Sequence, residues 1–94
     1  MKKVILDFTA AESNEEVQDL IQNEMDLPEY YGRNLDALYD CLTEIHEDTA
    51  IGFYQTMDGS PVSAYLNRVR QVFEDAEEEN SHLAVFFLTT YAVE

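Results

Sequence analysis

Asp36, Tyr39, Asp40 and Thr43 recur at spacings of three and four, so on a helix they share one face. Two carboxylates flanking a phenol admit several chemistries. As ligands for a divalent cation they are too few, since hard cations take six or more oxygens. As a general acid and base they need surroundings that push their pKa values apart, and an exposed helix face has no pocket to do so. As replacements for phosphates they suit a basic active site. The alternative is an ordinary solvated face, the usual state of an Asp pair at this spacing. Cys41 adds no nucleophile: a catalytic thiol wants a nearby His, and His46, five residues on, lies about 140° around the same helix. His82 has no motif around it. Two scattered histidines and a single cysteine make neither a zinc site nor a nucleophile–base pair. Cys41 reads instead as a small buried thiol, and no phosphate-cradling glycine loop is present.

The elements that must position these side chains follow from periodicity. Leu35, Leu38, Leu42 and Ile45 form an apolar stripe opposite the acids, which predicts a helix from about Asn34 to His46. Asn34 caps it and thereby orients the whole face. The preceding loop, Leu27 to Arg33, brings Tyr30, Tyr31 and Gly32 beside the helix. Tyr30, Tyr31 and Tyr39 are candidate interface anchors. Tyr31 also suits a partly buried ring with its hydroxyl at the rim, and Gly32 serves backbone geometry rather than contact.

Around this centre the chain alternates strands and helices. Lys2 to Phe8 reads as a strand. Ser13-Asn14-Glu15-Glu16 has the form of a capping box, opening a helix with Val17, Leu20, Ile21 and Met25 on one face, ended near Asp26 by Pro28. Thr49 to Tyr54 is a second strand with Gly52 as its weak point. Ser60-Pro61 caps and starts a long helix that buries Val62, Tyr65, Leu66, Val69, Val72, Phe73 and Ala76 and stops at Asn80. Leu83 to Leu88 is a near-continuous apolar run, read as a buried strand, and Thr89 to Glu94 is a tail or a short strand extension. The expected fold is α/β: a small three-stranded parallel sheet packed by helices, with right-handed crossovers and one face covered more than the other.

Length and charge narrow the function. Ninety-four residues fit one domain, 1–94, that buries roughly 60–65% of its unfolded surface. A hydrophobic content of 46% argues against disorder. No apolar run approaches the ~20 residues of a membrane span. The opening Met1-Lys2-Lys3-Val4-Ile5-Leu6-Asp7 is a poor signal peptide, and a lone cysteine forms no internal disulfide, so a reducing cytoplasm is the expected location. Five bases against 20 acids give a formal charge of −15, beyond the magnitude of roughly 2–8 that solubility asks for. Six acids and no Lys or Arg lie between Asn34 and Asn67, and six more acids with no base follow Arg70. Nucleic-acid binding is disfavoured, because no basic surface exists to displace counterions. A basic protein partner is favoured, since opposite fields accelerate encounter.

The stretch LPEYYGRNLDALYDCL, Leu27 to Leu42, resembles the central motif of the barstar family, the intracellular inhibitors of small basic ribonucleases. The match runs over sixteen residues and includes Tyr30-Tyr31-Gly32. Similar chain length, the opening Met1-Lys2-Lys3 strand and Gln71-Val72-Phe73 extend it more loosely. The resemblance implies a three-stranded parallel sheet packed by helices and a partner-binding surface of Tyr30, Tyr31, Gly32, Asn34, Asp36, Tyr39, Asp40 and Thr43. It adds Asp75, which matches an acidic position after the Gln-Val-Phe stretch with a side chain one carbon shorter than glutamate. It implies an inhibitor rather than an enzyme, needing no cofactor or metal. The free chain is expected to be a monomer whose partner is a small basic, barnase-like ribonuclease, neither nucleic acid nor membrane. Tyr39 and Ile45 stand where the best-known member has tryptophan, and Arg33 stands where it has an acid. The other reading is an acidic adaptor or nucleic-acid mimic that binds a different basic protein.

Overall fold

Three strands and three helices alternate along the chain: β1 (Lys2–Asp7), α1 (Asn14–Glu24), α2 (Leu35–Thr43), β2 (Thr49–Met57), α3 (Pro61–Glu79) and β3 (Leu83–Tyr91). The computed structural model describes residues 1–91. The strands form one parallel sheet in the order β1-β2-β3. Because this order is monotonic, right-handed crossovers put every helix on the same face. Burial reports the consequence. Val4, Leu6, Ile51, Phe53, Leu83 and Val85 are buried, whereas Ile5, Phe86 and Leu88 on the opposite face are exposed. Ile5, Gly52 and Phe86 are aligned across the three strands of that open face.

The apolar run of β3 is therefore not the fully buried strand that its composition suggests. β3 is an edge strand whose alternate side chains face away from the helices. It also continues past Leu88 to Tyr91, so the strand extension is the correct reading of Thr89 to Tyr91; residues 92–94 lie outside the described residues. Likewise β2 runs three residues beyond Tyr54, to Met57.

Phe53 sits at the centre of the core, with ring centroids 4.9 Å from Phe8 and 5.4 Å from both Phe73 and Phe87. All three helix N-termini are capped by the predicted residues. Ser13, Asn34 and Ser60 accept from the N–H groups of Glu16, Ala37 and Ser63. The capping box at Ser13 is incomplete, because the Glu16 carboxylate reaches the Glu12 N–H, 2.6 Å away. α1 ends in a Schellman motif. Asp26 is left-handed (φ 54), and the Leu27 N–H reaches back to the Gln22 carbonyl at 3.0 Å.

α3 is the brace. Leu66, Val69, Phe73 and Ala76 are its buried apolar face, with Val62, Tyr65 and Val72 half-buried at its margins. Asn80 ends α3 as its C-cap. Its side-chain amide also donates 2.9 Å bonds to the carbonyls of Leu42 and Ile45, so one residue stops α3 and satisfies the end of α2. Glu77, a carboxylate near the negative end of α3, faces β3 and accepts from the Val85 N–H, which leaves Glu78 and Glu79 as the exposed pair of that run.

Candidate protein-binding site

The α2 helix buries Leu38 and Leu42 completely, which turns Asp36 and Asp40 to solvent. Tyr39 is half-buried between α2 and α3. A groove of about 410 Å³ opens between these helices, lined by Leu35, Asp36, Tyr39, Val72, Asp75, Glu78 and Glu79. Its walls thus combine apolar side chains with four carboxylates, two elements contributing to each kind.

The electrostatics follow from that geometry. Partial burial, and then the carboxylates of Glu79, Asp75 and Asp40, raise the Tyr39 phenol above its ordinary pKa. The phenol stays protonated as a hydrogen-bond donor within an acidic wall. Burial, reinforced by Glu44 and Asp40, likewise raises the Cys41 thiol. A raised pKa makes the thiol a poorer nucleophile. No group of three or more His, Cys, Asp or Glu side chains is arranged for a metal ion among the described residues.

Of the nine residues singled out from sequence, the structure brings Asp36, Tyr39 and Asp75 together on one groove. Asp75, on α3, faces α2 across the groove, where the Gln71 amide holds it at 2.9 Å. Asp36 and Tyr39 line the same groove, and Asp40 adjoins it from α2. Thr43 is turned back onto its own helix, its hydroxyl donating to the carbonyls of Tyr39 and Asp40 at 3.0 and 3.1 Å. Tyr30 is 89% exposed at the loop tip. Tyr31 is not on this surface. It is 5% exposed, and its hydroxyl donates to Gln18 at 2.6 Å while the Gln18 amide donates to Tyr65 at 2.7 Å. Burial pushes the Tyr31 phenol up to about 12. Tyr31 shapes the loop from within.

The left-handed residue of the loop is Arg33 (φ 53). Gly32 serves backbone geometry through space: a Cβ there would come within 3.2 Å of the Ala37 Cβ and the Asn34 amide. Arg33, which stands where the best-known member has an acid, is not a free positive charge. Its guanidinium is bonded to Gln22, Asp19 and the Glu15 carbonyl of α1. Leu35, Val72, Glu78 and Glu79 line the groove without having been singled out as site residues. Glu78 and Glu79 follow Asp75 by three and four residues, so the helical period could have added them.

A three-stranded parallel α/β fold carrying acids and a half-buried tyrosine between two helices defines a small protein with an acidic groove on its surface. The barstar family model, described as Barstar (barnase inhibitor), matches residues 1–91. The chain belongs to the barstar family. A Bacillus subtilis (strain 168) protein named "Putative ribonuclease inhibitor YrdF" is 36% identical over 81 residues, which span 84% of this chain and 89% of that protein.

Proposed function

We propose that this protein inhibits a small basic ribonuclease of the barnase type, by closing the nuclease's active site with the α2–α3 groove and the loop before α2. The observation that carries this reading is the convergence of Asp36, Asp75, Glu78 and Glu79 on one groove with Tyr39 in its wall. Carboxylates held there stand where RNA phosphates would lie in a basic cleft, so substrate and inhibitor compete for the same cationic groups. Leu35, Tyr39 and Val72 supply apolar contact that a nuclease side chain can cover as water leaves. The role is stoichiometric binding rather than catalysis and requires no cofactor. The proposed setting is the cytoplasm, where inhibition protects the producing cell and Cys41 remains reduced.

Titration against a panel of small basic ribonucleases, including those secreted by its own organism, tests this. A sharp equivalence point near one inhibitor per enzyme is expected for at least one of them. Absence of inhibition across the panel, with a different basic protein recovered from lysate by pull-down, would replace this reading with that of an acidic adaptor.

A further inference from the structure

The loop that leads into α2 is gripped along one stripe of α1. The contacts come from positions 15, 18, 19 and 22, which share a helix face. Gln22 holds both ends of the loop: its amide donates to the Pro28 carbonyl at 3.1 Å, and its side-chain oxygen accepts from Arg33 at 2.7 Å. Gln18 accepts from the Tyr31 hydroxyl between them. Arg33 closes the loop, with its second terminal nitrogen on the Asp19 carboxylate and the Glu15 carbonyl. It does so from a left-handed backbone, φ 53, which a non-glycine residue adopts only when its surroundings compensate. The next residue, Asn34, caps α2 and sets the direction in which Asp36 and Asp40 point.

We infer that Arg33 is a positioning residue: its guanidinium clamps the loop to α1 and so fixes the entry of α2 and the placement of the acidic face, without itself meeting the partner. The part of this inference that concerns binding rests on the proposed nuclease partner; the clamp itself does not. A planar fork suits the task, because two of its nitrogens hold three acceptors in a fixed geometry, whereas a lysine's three donors share one nitrogen on a flexible stem.

The inference opposes a simple charge argument. Removing one base from a chain of charge −15 gives −16, and for a basic partner that change alone speeds association. If Arg33 positions the face, Arg33→Gln instead weakens binding, through faster dissociation, by roughly tenfold, because a pre-organised surface has become mobile. Two measurements on the full chain separate the possibilities. In the free protein, amide exchange at Tyr31 and Ala37 should accelerate in Arg33→Gln while Ile51 and Phe53 in β2 keep their protection. Asp19→Asn should do the same to a smaller extent, and adding it to Arg33→Gln should change little further. Unchanged loop exchange overturns the inference, as does uniform acceleration across loop and sheet, which is what a purely global stabiliser produces. With barnase as the probe, tighter or unchanged inhibition by Arg33→Gln overturns it too. If the unmodified chain fails to inhibit barnase, that counts against the proposed partner, and the exchange comparison alone decides the clamp.

Discussion

Asp40 carries the sharpest expectation for a single side chain. It is exposed on α2, with Tyr39 beside it and Asp36 one turn before, so a partner closing over this face desolvates it along with the cations it meets. Truncating one member of a buried, hydrogen-bonded charge pair costs roughly 2–5 kcal/mol, a range to which barnase–barstar pairs themselves contribute. Asp40→Ala should therefore raise the dissociation constant about 30-fold or more, measured by inhibition titration. Glu12→Ala removes the same charge outside the groove and should alter mainly the on-rate, and slightly. Equal losses would make the site diffuse charge. Urea unfolding of Asp40→Ala should match the parent closely, since the side chain faces away from buried Leu38 and Leu42. Tyr31 gives an expectation of the opposite kind, in stability rather than binding. Its folded pKa of about 12 lies above the ordinary phenol value of 10.0. The unfolded state therefore loses its phenolic proton first as pH rises. The stabilisation is complete below about pH 10 and is lost progressively up to about pH 12. Thermal unfolding followed across that window should show a shallower decline in Tyr31→Phe than in the parent. The phenylalanine variant should start from lower stability, because the Gln18 oxygen loses its donor.

At the scale of elements, the groove depends on how the ends of α2 and α3 are joined. Asn80 makes that joint through its bonds to the Leu42 carbonyl of α2 and the Ile45 carbonyl just past its end, and it is 7% exposed. Asn80→Ala leaves those carbonyls without their donor and should destabilise the fold by about 1–3 kcal/mol, read from urea unfolding. Inhibition should weaken as well, because Asp75 and Glu79 lie just before this cap on α3. This link was not legible in the sequence: Asn80 reads there as a helix stop, and nothing local says that its amide crosses to Leu42. The caps, the helix faces and the alternation of elements were legible, because each rests on neighbours in sequence. Long-range choices were not. The run Leu83 to Leu88 has the composition of a strand covered on both faces; unequal covering of the sheet was expected, but only the monotonic strand order leaves alternate side chains of this run on an open face. Phe73 and Phe86 test the difference. Phe73→Ala, within the Phe53 cluster, should cost about 3–5 kcal/mol. Phe86→Thr, at a side chain 64% exposed, should stay within about 0.5 kcal/mol of the parent. A large loss from Phe86→Thr would mean that the open face is covered in solution.

The charge of the whole molecule is distributed as well as large. Arg33 is bound to α1, and Arg70 is paired with Glu74 while lying 4.5 Å over the Phe87 ring. Lys2 and Lys3 belong to β1 at the far edge of the sheet from β3. Arg68 lines a neighbouring depression with Asp36, and Arg33 lines it too. The face that offers Asp36, Asp75, Glu78 and Glu79 therefore contains no base among its lining residues. This segregation matters because the Debye length is ~10 Å at 0.1 M salt, shorter than the 42 × 25 × 19 Å extents of the molecule. Under those conditions a partner senses mainly the charges of the face it approaches, not the sum over the chain. Two double variants with the same change in net charge separate patch from sum. Glu78→Gln with Glu79→Gln neutralises two groove carboxylates, whereas Glu12→Gln with Glu24→Gln neutralises two acids outside it. Stopped-flow association with the cognate nuclease should slow more in the groove pair, and as salt rises from 0.02 to ~0.15 M both effects should shrink, that of the outer pair by the larger factor, because distant charges are screened first. The parent on-rate should fall steeply over the same range, with the off-rate changing much less. Equal slowing by both pairs at every salt concentration would show that net charge, rather than the groove, guides encounter; a salt-insensitive parent on-rate would reject electrostatic steering altogether.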